Sequence, residues 1–188
     1  SLMHNMAGSS SIPVESLRDP KFTQEYGTTY SIMDYARNNY IAQPGDKEKG
    51  VRMTPPELGA YDYYAISWLY KPIFEAKTPE EEIPILDKWI SEKSGDPKYR
   101  YGKQQFKRRF DPSSVEEDLG DDPVKASEYG RRNLQYILKH INEWVADKDK
   151  DFEFRTALYD EVVYGYVRYL SFVLADIGGI YLNERYDG

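Results

Sequence analysis

Cysteine is absent from the 188 residues, and histidine occurs only twice. Without cysteine there is no disulfide framework, no Cys-ligated zinc, no iron–sulfur cluster and no thiol nucleophile. A His-rich metal site or a Ser-His-Asp triad must use one of the two, His4 or His140. Membrane-length apolar runs are missing too. The stretch from Val162 to Ala175 is 14 residues long and contains Arg168, too short and too charged to span a bilayer. The N-terminus carries neither the basic segment nor the long apolar stretch of a signal peptide. The protein is then cytoplasmic, or this chain begins downstream of its targeting segment.

Basic charge is in deficit, with 25 Lys and Arg against 32 Asp and Glu. Residues 1–54 hold six of each sign, so the whole net charge of −7 lies in residues 55–188. An acidic total argues against general nucleic-acid binding, which needs a basic surface to neutralise phosphate. One basic stretch (Lys98, Arg100, Lys103, Lys107, Arg108, Arg109) precedes an acidic one (Asp111, Glu116, Glu117, Asp118, Asp121, Asp122). These are expected to be solvated segments that partly neutralise each other. The acidic run lacks the spaced oxygen ligands and central glycine of an EF-hand loop.

What the chain does have is tyrosine, 18 residues against 7 Phe and 3 Trp. Tyrosine combines an apolar body with a polar tip, so the edges of the core are expected to be amphipathic. The length suits one domain, at most with a small appendage.

The pattern of caps and apolar spacing reads as mainly α, a helical bundle behind a loop-rich N-terminal third. Asp19-Pro20 starts a short helix that Gly27 ends. Thr54 is expected to cap a second helix running to about Leu69. Thr78 opens a third through a capping box with Glu81, and Ile85, Leu86, Trp89 and Ile90 form its stripe. Tyr99–Gln105 is a candidate strand. Asp122-Pro123 begins a long helix with Leu134, Ile137, Leu138, Ile141, Trp144 and Val145 at helical spacing. After the charged linker Asp147–Asp151, the last helix runs from about Phe154 to Ile177. Its second half is apolar nearly all round and is expected to be buried. Gly178-Gly179 breaks it, and Ile180–Leu182 is a candidate terminal strand.

The informative third is residues 1–45, with Leu2-Met3-His4-Asn5 followed by Ser31-Ile32-Met33-Asp34-Tyr35. Ser-Ile-Met-x-Tyr resembles the Met-turn of metzincin zinc peptidases. Leu-Met-His-Asn resembles the tail of their extended His-Glu-x-x-His motif, with Ser1, native or a cloning remnant, where the helix-breaking glycine belongs. Ser31–Asp46, Pro55–Tyr64, Tyr99–Gln105 and Glu117–Ser127 extend the likeness to large bacterial metzincin-type peptidases over nearly the whole chain.

The resemblance implies a C-terminal metzincin subdomain over residues 1–70, with a helical extension over 71–188. It implies His4 as the third zinc ligand and Met33 as an apolar floor beneath the ion. Tyr35 is implied as a further zinc ligand and candidate catalytic residue that swings to bind the oxyanion. Peptide bonds would be hydrolysed by zinc-activated water. No His-Glu-x-x-His occurs in the chain, so the resemblance implies a segment cut after the zinc helix, inactive alone. The other implied partners are a protein or peptide substrate and the N-terminal catalytic subdomain of the same polypeptide. Export to the periplasm, cell surface or medium is implied as well.

Other candidates have simpler readings. Glu57 and Asp62 are expected to be surface carboxylates, and His140 a partly exposed residue near a helix end. Tyr61, Tyr63, Tyr64 and Tyr70 are expected to be a packed stripe. The alternative to an enzyme is a non-catalytic helical module that holds a protein or glycan through exposed Tyr and Trp.

Overall fold

The computed structural model describes residues 2–106, 110–147 and 149–183. They form six α-helices joined by loops and short 3-10 turns, with no strand among the described residues. The mainly α expectation holds.

In the N-terminal third, loops pack around two short helices. α1 (Ala7–Ser10) is a single buried turn. A 3-10 turn over Val14–Arg18 leads to α2 (Pro20–Tyr26). Asp19 caps α2 as expected, accepting the amides of Lys21 and Phe22 at 2.7 and 3.1 Å. Gly27 ends it with φ at 66°, and a side chain there would run into Pro56. The loop that follows is held by buried polar groups. Asn39 donates to the Leu17 and Arg52 carbonyls at 2.7 and 3.2 Å, and Asp46 pairs with Arg18 at 2.7 Å.

α3 (Ala60–Tyr70) starts at Ala60, not at Thr54. The Arg52 guanidinium binds the Pro55 carbonyl at 2.6 Å and ties the Pro55-Pro56 segment to the preceding loop. Helical structure begins only where the Gly59 amide meets the Asp62 carboxylate, at 2.7 Å. α4 (Pro79–Lys93) begins after Thr78 as expected, with the Glu81 amide on the Thr78 hydroxyl at 3.4 Å. The Glu81 carboxylate reaches back to the amide of Lys77 at 2.7 Å. No residue of α4 is buried.

Neither candidate strand forms. Pro97–Tyr99 is a 3-10 turn, and the segment after it meets the N-terminal arm around Gly102. There the Met6 amide donates to Gly102 O at 2.8 Å and the Gly102 amide donates to the Asn5 side chain at 2.9 Å. Ile180 likewise donates to Phe110 O at 2.6 Å, and Leu182 to the Asp111 carboxylate at 3.0 Å. Side chains supply half of these bonds, so no ladder propagates.

α5 (Pro123–Val145) and α6 (Glu153–Asp176) pack along each other. Asp122 caps α5 through the Lys125 amide at 2.9 Å. Ala126, Gly130, Leu134, Ile141 and Val145 form its buried stripe. In the charged linker, Asp149 is buried and accepts the amides of Phe154 and Arg155 at 3.0 and 3.1 Å, which caps α6.

α6 does not have the buried second half expected of it. Val162, Phe172 and Ala175 are buried, but Val163, Tyr166, Val167, Leu170 and Leu174 are about half exposed. The helix lays one side on α5 and the N-terminal loops and leaves the other uncovered among the described residues.

The acidic run also differs from expectation, because Asp111 and Asp118 are buried. Asp111 accepts both the amide and the hydroxyl of Ser113, at 2.9 and 2.6 Å. Lys107, Arg108 and Arg109 of the basic run lie outside the described residues.

The main core joins Ile12, Val14, Leu17, Tyr30, Ala36 and Ile41 to Leu119 and Ala126. A smaller one packs Val115, Phe172 and Ala175. Tyr40 touches both, its ring 4.8 Å from Tyr169 and its hydroxyl accepting the Leu119 amide at 3.0 Å.

Candidate functional site

His4 lies on an arm that Asn5 fixes from below. Asn5 is fully buried. Its side chain donates to Arg100 O at 3.0 Å and accepts the amides of Gly102 and Ala7 at 2.9 and 3.3 Å. Its own amide donates to Met33 O at 3.1 Å. The residue after His4 is thereby bonded to the methionine of the Ser31–Tyr35 turn.

Two further contacts hold the arm to the turn. Tyr30 N donates to Gly8 O at 3.1 Å, and Ser9 N to the Asp34 carboxylate at 2.7 Å. The backbones approach closely here, since a Cβ on Gly8 would lie 2.6 Å from Thr29 Oγ1 and 3.1 Å from Ser31 N. A glycine is needed for that approach.

The result brings His4 and Tyr35 together. Their ring centroids are 4.9 Å apart at an interplanar angle of 52°. Both reach solvent, His4 in part and Tyr35 at 40% exposure, so the pair forms an open edge. Met33 is half-buried.

Two buried carboxylates brace the turn. Asp34 accepts from Ser9 N and, at 3.3 Å, from the Thr29 hydroxyl. Burial pushes its carboxyl up to about 7, against the opposing pull of the Ser9 and Thr29 bonds. Asp62, 3% exposed, accepts the Ser31 hydroxyl at 2.8 Å and the Ile32 amide at 2.9 Å. The surface reading of Asp62 is therefore corrected, while Glu57 is exposed and precedes α3. Asn5, Asp34 and Asp62 carry much of this geometry, and the sequence reading gave none of them a role. The available signal for Asp62 was its place three residues after Gly59 at the start of a Tyr-rich helix.

His140 lies far along the chain in α5, stacked on Trp144 with centroids 5.4 Å apart and partly exposed as expected. Of the tyrosine cluster, Tyr61 and Tyr64 pack against Tyr101 and Tyr99 at 6.3 and 5.3 Å, whereas Tyr63 and Tyr70 face solvent. Beside the His4 arm is a groove of about 480 Å³ lined by Leu2, Met3, Tyr61, Tyr64 and Trp68.

As a partial ligand set for zinc, His4 and Tyr35 fit. An imidazole and a phenol share one open edge above a braced turn, and zinc takes nitrogen and oxygen ligands in a site open to solvent. They do not complete a set. Among the described residues no group of three or more His, Cys, Asp or Glu is placed to hold a metal ion.

The fold thus bonds a histidine-bearing arm to a methionine-bearing turn and sets a tyrosine beside the imidazole. The chain belongs to the Met-zincin family, whose sequence profile matches residues 1–188. The family supports a role related to zinc metallopeptidases and implies zinc in related proteins. No curated protein and no solved structure matches the chain significantly.

Proposed function

We propose that this chain is the C-terminal part of a zinc metallopeptidase of a large, exported bacterial protein. Residues 1–70 supply the lower wall of the active site and residues 71–188 extend it. The observation that carries the reading is the 4.9 Å pairing of His4 with Tyr35 over the Met33 turn, in a chain of the Met-zincin family.

In this reading His4 gives one imidazole ligand, and the other two come from a His-Glu-x-x-His helix on the N-terminal subdomain of the same polypeptide. Bound zinc supplies Lewis acidity and an activated water for attack on a peptide carbonyl. Tyr35 would be a further ligand to that ion, and its phenol would donate a hydrogen bond to the carbonyl oxygen as negative charge develops on it. The Asn5–Met33 and Ser9–Asp34 bonds hold both side chains in register, so little reorganisation accompanies the reaction. The substrate is a protein or peptide. The chain alone is inactive because its own residues supply too few ligands.

Tyr35→Phe in the intact peptidase tests this reading. It should lower kcat by about tenfold or more, with KM little changed, since removing one oxyanion donor costs ~10²–10³ where it has been measured. An unchanged kcat removes Tyr35 from the mechanism.

A second reading, a non-catalytic module that grips a protein or glycan, draws on the Tyr- and Trp-lined groove beside Leu2 and Met3. It gains ground if the intact protein binds no zinc.

A further inference from the structure

We infer that Asp62 is a positioning residue, whose buried carboxylate sets the backbone of the turn that aims Tyr35 at His4. The consequence for catalysis rests on the function proposed above; the geometry does not.

Asp62 sits in the first turn of α3 and receives three bonds. Oδ2 accepts the amides of Gly59 and Ile32 at 2.7 and 2.9 Å, and Oδ1 accepts the Ser31 hydroxyl at 2.8 Å. A residue that merely caps its own helix needs only the first of these. The other two leave α3 and end on the turn. Ser31 passes the constraint on, because its hydroxyl oxygen accepts the Met33 amide at 3.2 Å and its carbonyl accepts the Asp34 amide at 3.2 Å. Residues 31 to 34 are thus tied to Asp62 directly or through Ser31.

The site calls for a side-chain oxygen that takes two backbone amides and a second polar atom on the Ser31 hydroxyl. Three donors converge on one point, and an ionised Asp accepts only, through two oxygens. Bonds to a charged acceptor are shorter and stronger than neutral ones. The start of α3 is also pressed against the turn. Tyr61 N donates to Tyr30 O at 2.9 Å, and a Cβ on Gly59 would collide with that same carbonyl. Tyr35 projects from this turn toward solvent, so the turn backbone determines where its ring points.

Asp62→Ala and Asp62→Asn separate positioning from general stability. Asparagine can keep the pattern, with its oxygen on the two amides and its NH₂ donating to Ser31 Oγ. Alanine leaves all three donors unmatched. In the 188-residue chain, the readout is the proton NMR contact between the His4 and Tyr35 rings. The contact between Tyr40 and Tyr169 controls for folding. Asp62→Ala should lose the first contact and keep the second, and Asp62→Asn should keep both. Should Asp62→Ala not fold, Ser31→Ala takes its place and should weaken the His4–Tyr35 contact. A folded Asp62→Ala or Ser31→Ala with that contact at full strength overturns the inference.

In the intact peptidase, Asp62→Ala should cost about tenfold or more in kcat with KM within about twofold, and Asp62→Asn should recover most of it. Equal losses in the two variants contradict the inference. If the NMR contact behaves as expected but the intact wild-type protein neither binds zinc nor cleaves peptides, the proposed function fails and the positioning role stands.

Discussion

At the scale of single residues, the His4–Tyr35 pair is held by polar groups that are themselves buried. Asn5 fixes the arm, Asp62 fixes one side of the turn, and Asp34 fixes the other. Asp34 has a measurable consequence. Its carboxyl is raised from the ordinary 3.8 to about 7 in the folded chain because burial disfavours the charged form. The folded state therefore holds the Asp34 proton more tightly than the unfolded state does. The sign follows from linkage. The contribution of Asp34 to stability is fully present below about pH 4, declines as pH rises, and is gone once pH passes about 7. Urea unfolding of the wild type and of Asp34→Asn, measured from pH 4 to pH 8, tests this. The wild type should lose stability relative to the variant across that window and level off above it. Parallel curves would mean that Asp34 titrates as an ordinary carboxyl.

Helices reveal where sequence reading succeeds and where it stops. The starts of α2, α4 and α5 were legible because each has a local chemical cause, an Asp or Thr cap followed by proline. The start of α3 was not, because a tertiary contact between Gly59, Asp62 and the turn decides it. The burial of α6 was misread for a related reason. Composition shows that a helix is apolar all round, but not which sides find a partner. The two candidate strands failed because pairing depends on a neighbour that local β-propensity does not specify. A sequence signature singled out His4, Met33 and Tyr35, and the fold brings the three together. The braces beneath them were not legible, since their partners lie 25 or more positions away in the chain.

The packing of α5 on α6 carries a prediction of its own. Glycine to alanine inside a helix ordinarily stabilises by about 0.4–1 kcal/mol. At Gly130 an added Cβ would lie 2.6 to 2.9 Å from the Tyr169 ring. That ring is itself packed against Tyr40 and Phe172. Gly130→Ala should therefore reverse the usual sign and destabilise by about 1–3 kcal/mol, the range for overpacking. Thermal unfolding reads the effect directly, and a raised Tm would show that the ring moves aside at no cost.

At the scale of the whole molecule, the charge balance and the residue inventory fit one account. The chain has two histidines and no cysteine, and among the described residues no group of three or more His, Cys, Asp or Glu is placed to hold a metal ion. The fold instead places one imidazole and one phenol at an open edge and spends several buried polar groups on keeping them there. Membership of the Met-zincin family supports a role related to zinc metallopeptidases for the chain that carries this pair. The main core crosses from the N-terminal loops to Leu119 and Ala126, so the later part of the chain is packed against the segment that carries His4 and Tyr35. The most direct test of the central claim is the zinc content of the polypeptide extended upstream through the proposed His-Glu-x-x-His helix, measured after dialysis for the wild type and for His4→Ala. The account predicts stoichiometric zinc in the wild type and its loss in His4→Ala. Zinc retained in full by His4→Ala would contradict it.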